Sequence, residues 1–390
     1  MSLAGGVSRG EAAVDAIVGP VEGAEGAAVD PVRVETPVGC IDLRRVAANA
    51  ERVAAYAAEH GLRWRPHVKT HKSTTVAEIQ LRAGARGLTV ATLREAEVMA
   101  GLTDDILLAY PPVGEAKLSR LMALPPALDL KVALDAPEVL DELASAARAA
   151  GRSVGVLVEQ DVGLGRVGLQ SPDDVLTLAR TASELEGVDF RGVIFYPGHI
   201  RMAEAEQREP LADVSERVAA MLRALEVGGL SAQIVSGGST PTLWRSHEVA
   251  GLTEIRSGSC IFNDREALDI GVAGIDDVAY TVLATVVSTA VPGRAVVDAG
   301  SKALAKESRG SGGFGMLLDH PEVTLVGLSE EHGVLDTTSS GWRPRVGDRV
   351  RIVPNHVCVS VNLQDHLLGF DGEAYGVVAL EGRGRGPWTG

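Results

Sequence analysis

Cysteine is scarce: Cys40, Cys260 and Cys358 are the only three in 390 residues. So few and so scattered a set excludes a disulfide framework and implies a reducing compartment, leaving metal or redox roles open. No apolar run approaches the roughly 18 residues of a membrane-spanning helix. Basic residues are outnumbered, 37 Lys and Arg against 52 Asp and Glu, for a net charge of −15. Such a surface repels phosphate backbones and gives no support to binding at an anionic membrane, so neither nucleic acid nor membrane is an expected partner. The first thirty residues, rich in Ala, Gly, Val and acidic groups, carry no basic n-region followed by a sustained apolar stretch. They do not read as a secretory signal, and a cytoplasmic protein with a poorly ordered tail over 1–30 is expected.

What is present is core-forming. With 45% hydrophobic and 23% charged residues, the chain suffices for one large domain and a smaller one. From residue 41 helix-like and strand-like segments alternate. Eight short β-branched or apolar runs begin at Arg63, Gly87, Asp105, Asp129, Ser153, Phe190, Ala232 and Glu254, separated by helical stretches such as Pro137 to Ala150 and Pro172 to Leu185. That alternation predicts an α/β fold, a (β/α)8 TIM-type barrel over 31–275. After about residue 275 β-type runs follow without long helices, predicting a C-terminal antiparallel β domain over 276–390, which the extended segment 32–36 is short enough to join.

In a barrel of this type the active site is built at the C-terminal ends of the strands. The first strand delivers Lys69, in Arg65-Pro66-His67-Val68-Lys69-Thr70-His71-Lys72, as a candidate Schiff-base nucleophile. Arg65, His67, His71 and Lys72 are expected to form a positive environment that depresses its pKa. The fifth strand delivers Asp161 and Arg166, and the sixth Tyr196 and His199. The seventh and eighth end in Gly238, Ser239, Thr240 and in Arg256, Gly258, Ser259. Glycines and hydroxyls at the last two ends suit a phosphate, because backbone amides approach the anion closely and hydroxyls donate to it. The run Gly163 to Gly168 satisfies G-x-G-x-x-G, yet it falls mid-barrel and without a first-unit dinucleotide context, so the fingerprint carries little weight.

In the second domain, Asn355-His356-Val357-Cys358-Val359 reads as a strand on which His356 and Cys358 share one face. Imidazole and thiolate are ligands that suit zinc. An isolated H-x-C is more often an ordinary buried cysteine beside a histidine. Glu331 and His332 lie in a polar stretch that either adds to such a shell or is a loop.

From about Thr36 to about Asp365 the chain resembles the D-serine dehydratase and D-threonine aldolase family of alanine-racemase-like, fold-type III pyridoxal phosphate enzymes. The Lys69 run resembles its cofactor-lysine motif, and His356 with Cys358 its metal motif. The resemblance implies pyridoxal phosphate on Lys69 and zinc, or another divalent metal such as manganese, at His356 and Cys358. It places the phosphate at Gly238, Ser239, Thr240, Gly258 and Ser259. Arg256 is implied to contact the pyridine nitrogen, and Arg166 to lie near the phenolic oxygen. Tyr196 and His199 are implied to pack the ring and handle protons. Cys260 stands where many relatives have tyrosine. The implied activity is that of a lyase on D-3-hydroxy amino acids. His-x-Cys favours the dehydratase type, giving a 2-oxo acid and ammonia; the aldolase type, giving glycine and an aldehyde, is the alternative. An amino-acid racemase would need a second base such as Tyr280 or Tyr375, and a non-enzymatic cofactor carrier would not need the β domain. Relatives of this kind are often homodimers.

Overall fold

A computed structural model describes residues 17–18, 29–309 and 312–387. The tail expected over 1–30 therefore falls largely outside the described residues. Contacts divide the chain into two compact units. One comprises Val53–Gly258 with Ile270–Val272 and Glu381–Gly390; the other comprises Met1–Arg52, Ser259–Asp269 and Ala273–Leu380. These limits differ from the expected division at residues 31 and 275. The segment 32–36 is not a strand either. Pro31–Arg33 is a 3-10 turn capped by Asp30, and the strand that joins the β unit is β1, Val38–Asp42.

The larger unit holds eight parallel strands: β2 (Arg63–Trp64), β3 (Leu88–Val90), β4 (Asp105–Leu108), β5 (Asp129–Leu134), β6 (Val154–Glu159), β7 (Val188–Ile194), β8 (Ile234–Gly237) and β9 (Glu254–Ile255). They pair in the order β2-β9-β8-β7-β6-β5-β4-β3. The remaining seam, between β2 and β3, is closed by a parallel bridge from His67 to Thr89. Helices cover the barrel because apolar residues recur at their period. Pro172–Glu184 buries Val175, Leu178, Ala179 and Ala182, and starts at Ser171, whose hydroxyl accepts the Asp174 N–H. Such a cap contributes about 1 kcal/mol. Leu107, Ala133, Leu157, Ile194 and Ile234 form a fully packed cluster across five successive strands. Where β7 bulges against β6, Gly192 has φ +147° and its missing Cβ would meet the Ile234 carbonyl oxygen at 1.9 Å, so only glycine fits.

At the strands' N-terminal ends the barrel interior is ionic. Arg65, 1% exposed, donates from Nε to both Glu254 oxygens at 3.1 Å and from its terminal nitrogens to Asp105. Lys131 Nζ, 2% exposed, adds bonds of 2.7 Å to Asp105 and Asp129.

The smaller unit contains β1 and eight later strands: β10 (Tyr280–Ser288), β11 (Arg294–Val297), β12 (Gly315–Leu317), β13 (Thr324–Leu328), β14 (Gly333–Asp336), β15 (Arg349–Pro354), β16 (His366–Phe370) and β17 (Tyr375–Ala379). Their order is β11-β14-β13-β12-β15-β10-β1-β16-β17, with a further β10–β11 pairing that closes six of them into a ring. Pairing is antiparallel except for β1 with β16. Among the described residues no helix is long and apolar enough to cross a membrane.

The ionic floor generates a stability prediction. Asp105→Ala strips Arg65 and Lys131 of a shared counter-charge and should cost about 3–5 kcal/mol in urea unfolding. Burial raises the Asp105 carboxyl, but Arg65 and Lys131 outweigh it and hold it below the ordinary 3.8. A depressed carboxyl stabilises the fold above its unfolded value and loses that contribution as pH falls through the folded one. Acid unfolding of Asp105→Asn should therefore lack this part of the wild-type pH dependence below about pH 4.

Candidate active site

Lys69 lies in the 3-10 turn Val68–Thr70, directly after β2. Its Nζ is 5.8 Å from the centre of the Tyr196 ring, and the guanidinium carbon of Arg166 is 4.9 Å from the same centre. Residues from the ends of three strands thus meet at one aromatic ring. Gly163 packs against His199, whose Cε1 would lie 3.1 Å from a Cβ there. His199 and the loop that carries Arg166 are therefore neighbours.

The positive surroundings expected of Lys69 are not supplied by its sequence neighbours. Arg65 is neutralised by Glu254 and Asp105. His67 and His71 are buried, and burial is the largest force pushing both pKa values down, that of His71 to about 3. Both are neutral at pH 7, and the Ser73 N–H donated to His71 Nδ1 leaves Nε2 to donate to Gln80. Lys72 is bound to the fully buried Glu95, whose other oxygen accepts the Ala91 N–H. Lys72 is thus committed to structure.

The cations that do surround the site come from other strands. Arg256, 7% exposed, donates to Ser236 Oγ and to the Phe195 carbonyl, each at 2.8 Å. Burial lowers its pKa to about 10 against the opposing pull of Glu159 and Glu254, so it stays charged at pH 7. Burial raises the Glu159 carboxyl while Arg256 and Arg166 pull it back. His67 Nδ1 is buried without a hydrogen-bond partner, beside the charges of Lys69 and Arg256. Glu159 was missed by the sequence reading because it belongs to an unbroken buried strand, where nothing marks it as facing arginines.

Gly238, Ser239, Thr240 and Gly258 lie in the same unit. Gly238 has φ +87°. At Gly258 a Cβ would lie 2.6 Å from the His67 carbonyl oxygen. Ser239 Oγ is 3.0 Å from Thr242 Oγ1, and Ser257 donates to the Ser239 carbonyl at 2.9 Å. This is a tight, hydroxyl-bearing turn with the chemistry a phosphate requires. Ser259 and the buried Cys260 open the 3-10 turn Ser259–Ile261, which packs with the β unit. The G-x-G-x-x-G run has an internal anion instead of a nucleotide. The amides of Gly163, Leu164 and Gly165 all donate to the Asp161 carboxylate at 3.0–3.2 Å.

Within the β unit the His356 segment is not the expected strand. β15 ends at Pro354 and Val357–Asn362 is helical with His356 as its N-cap, burying Val357, Ser360 and Val361 at helical spacing. Packing of that face overrides the β preference of the valines. His356 and Cys358 still meet, His356 from the extended N-cap and Cys358 from the helix. Burial lowers the imidazole pKa, but Asp264 and Cys358 overcome it and raise it to about 11. His356 Nδ1 is buried, 3.2 Å from Asp264 Oδ2 without hydrogen-bond geometry. Among the described residues no group of three or more His, Cys, Asp or Glu is arranged to hold a metal, so His356 and Cys358 would act as a protein pair with other positions open. Glu331 sits in the exposed β13–β14 turn, paired with Lys302, and His332 belongs to the same turn. Asp264 had no sequence signal, since only tertiary contact brings it to His356.

Residues 41–266 match the family model described as alanine racemase, N-terminal domain, and 279–370 match a putative serine dehydratase domain. A D-threo-3-hydroxyaspartate dehydratase of Delftia sp. (strain HT23) is 36% identical over 352 residues, 84% of this chain and 92% of that protein. A D-threonine aldolase of Arthrobacter sp. is 34% identical over 349 residues, 87% and 90% of the two chains. A cysteine-to-alanine variant of a D-threo-3-hydroxyaspartate dehydratase, solved in a metal-free form, superposes with a TM-score of 0.82. It is 31% identical, covering 91% of this chain and 99% of that one. The two matched family models and the relatives that cover most of the chain agree: this chain belongs to the D-serine dehydratase and D-threonine aldolase family of alanine-racemase-like, fold-type III pyridoxal phosphate lyases.

Proposed function

We propose that the chain is a cytoplasmic pyridoxal phosphate- and zinc-dependent lyase acting on D-3-hydroxy amino acids by dehydration to a 2-oxo acid and ammonia. The observation that carries this reading is the convergence of Lys69 and Arg166 on the Tyr196 ring at the strand ends. Bound pyridoxal phosphate supplies an electron sink for the bond broken at the substrate α-carbon. Lys69 Nζ holds the cofactor and then moves the α-proton. Gly238, Ser239, Thr240, Gly258 and Ser259 take the phosphate. Arg256, charged and fixed by Ser236 and Phe195, would be the cation beside the pyridine nitrogen and would disfavour its protonation. Tyr196 would support the cofactor ring, and Arg166, held over Tyr196, would serve the phenolic oxygen. Zinc or another divalent metal at His356 and Cys358 would supply Lewis acidity toward the 3-hydroxyl oxygen. The similar dehydratase with a metal-free variant supports a metal role here. A homodimer is part of the reading.

The aldolase type uses the same residues: His199 would take the proton of the 3-hydroxyl and the Cα–Cβ bond would break. A racemase reading is weakened by Tyr280, whose fully buried hydroxyl is engaged by Ser360 at 2.9 Å. Burial also raises its pKa, so it is a poor base.

Two measurements test the reading. Lys69→Ala should lose the visible absorbance of the lysine-bound cofactor and its trapping by borohydride, whereas Lys72→Ala should keep both and lose stability through the orphaned Glu95. Label on Lys72 in the first variant would overturn the assignment. With D-serine, D-threonine and D-threo-3-hydroxyaspartate as substrates, keto acid and ammonia should dominate, and chelation should abolish turnover while the cofactor absorbance remains. Glycine as the main product, with activity lost in His199→Ala, would establish the aldolase type.

A further inference from the structure

Among the described residues, Asp264 is a carboxylate built against the imidazole of the proposed metal pair. It is buried, 3% exposed, although it carries a formal charge. Its two oxygens are each anchored by backbone. Oδ1 accepts the Ala267 N–H at 3.0 Å and Oδ2 accepts the Val357 N–H at 2.9 Å. These bonds tie the start of the helix Arg265–Asp269 to the start of the helix Val357–Asn362. The same Oδ2 lies 3.2 Å from His356 Nδ1, a nitrogen buried with no other polar partner. A carboxylate held from both sides and set 3.2 Å from one ring nitrogen leaves the other ring nitrogen for a metal. It also fixes which tautomer the ring adopts when a metal binds.

We propose that Asp264 is a positioning residue for metal binding: it orients His356 without ligating the ion itself. A ligand role is disfavoured because Asp264, His356 and Cys358 are not arranged as a three-ligand cluster. Both Asp264 oxygens are also already engaged by backbone N–H groups. This proposal rests on the metal reading given above, and the two fail in different ways.

The test is zinc affinity of the full-length holoenzyme, measured by competition with a chromophoric chelator, for wild type, His356→Ala, Asp264→Asn and Leu335→Ala. Asp264→Asn keeps size and one acceptor oxygen but loses the charge. Leu335, buried in β14, is a control for loosening the unit without touching the site. Wild type should bind one tight zinc that His356→Ala loses. Asp264→Asn should bind roughly 10- to 100-fold more weakly, the usual effect of losing an outer partner of a metal-bound histidine. Leu335→Ala should melt earlier with unchanged zinc affinity. Wild-type affinity in Asp264→Asn would overturn the positioning role while leaving the metal reading intact. Equal weakening in Leu335→Ala would overturn it by reducing the effect to general loosening. Loss of zinc in wild type, or its retention in His356→Ala, would overturn the metal reading and the proposal with it.

Discussion

The stretch of barrel wall from β9 through β2 to β4 is held by Arg65. A guanidinium that is 1% exposed survives only if its charge is matched and its donors are used, and Glu254 and Asp105 do both. Glu254 opens β9 and Asp105 opens β4, so a side chain just past β2 locks the strand on one side of it and a strand two places away on the other. Lys131 extends the lock to β5. A buried ionic set of this kind is a poor source of net stability, because desolvation consumes most of the attraction, but it permits one register and penalises others. β2 is two residues long and β9 likewise, too short for ladder bonds alone to fix the seam at which the barrel closes. The ion network supplies what those strands lack, four residues before Lys69.

Charge near Lys69 illustrates why proximity in sequence is a weak guide to electrostatics. Five basic side chains crowd Arg65 to Lys72, yet four of them contribute no free positive charge to the site. Two are neutral by burial and two are cancelled by carboxylates that come from elsewhere. The effective cations, Arg166 and Arg256, arrive from strands far along the chain. Arg256 in turn is tolerable at 7% exposure because Glu159 and Glu254 offset it.

Much of this was legible in the sequence where the physics is local. The eight barrel strands stand within a few residues of the apolar runs, because a strand buried on both faces must be apolar throughout. Lys69, Tyr196 and Arg166 could be drawn to one end of the barrel from strand order alone. The β unit was less legible. β12, β14, β16 and β17 were not anticipated, since three to five residues with a half-exposed face carry little periodic signal. The segment from His356 to Asn362 was read as a strand from its valines, whereas burial of Val357, Ser360 and Val361 on one side makes it helical. His356 still pairs with Cys358 because it is the N-cap, in extended backbone outside the helix, and is not held to helical spacing.

The G-x-G-x-x-G loop shows how one residue changes the meaning of a motif. Glycines that free consecutive amides create an anion site, and what fills it decides the function. Here Asp161, immediately before the loop, folds its carboxylate into the three amides, and burial, which would raise its pKa, is outweighed by those bonds so that it stays ionised. The amides are then no longer available to a pyrophosphate. Their saturation instead rigidifies the loop, which carries Arg166 over Tyr196 and lays Gly163 against His199. A sequence pattern associated with binding a phosphate is thereby turned into a frame for Arg166, Tyr196 and His199, and under the proposed reading the phosphate would fall instead to the strand ends at Gly238 and Gly258.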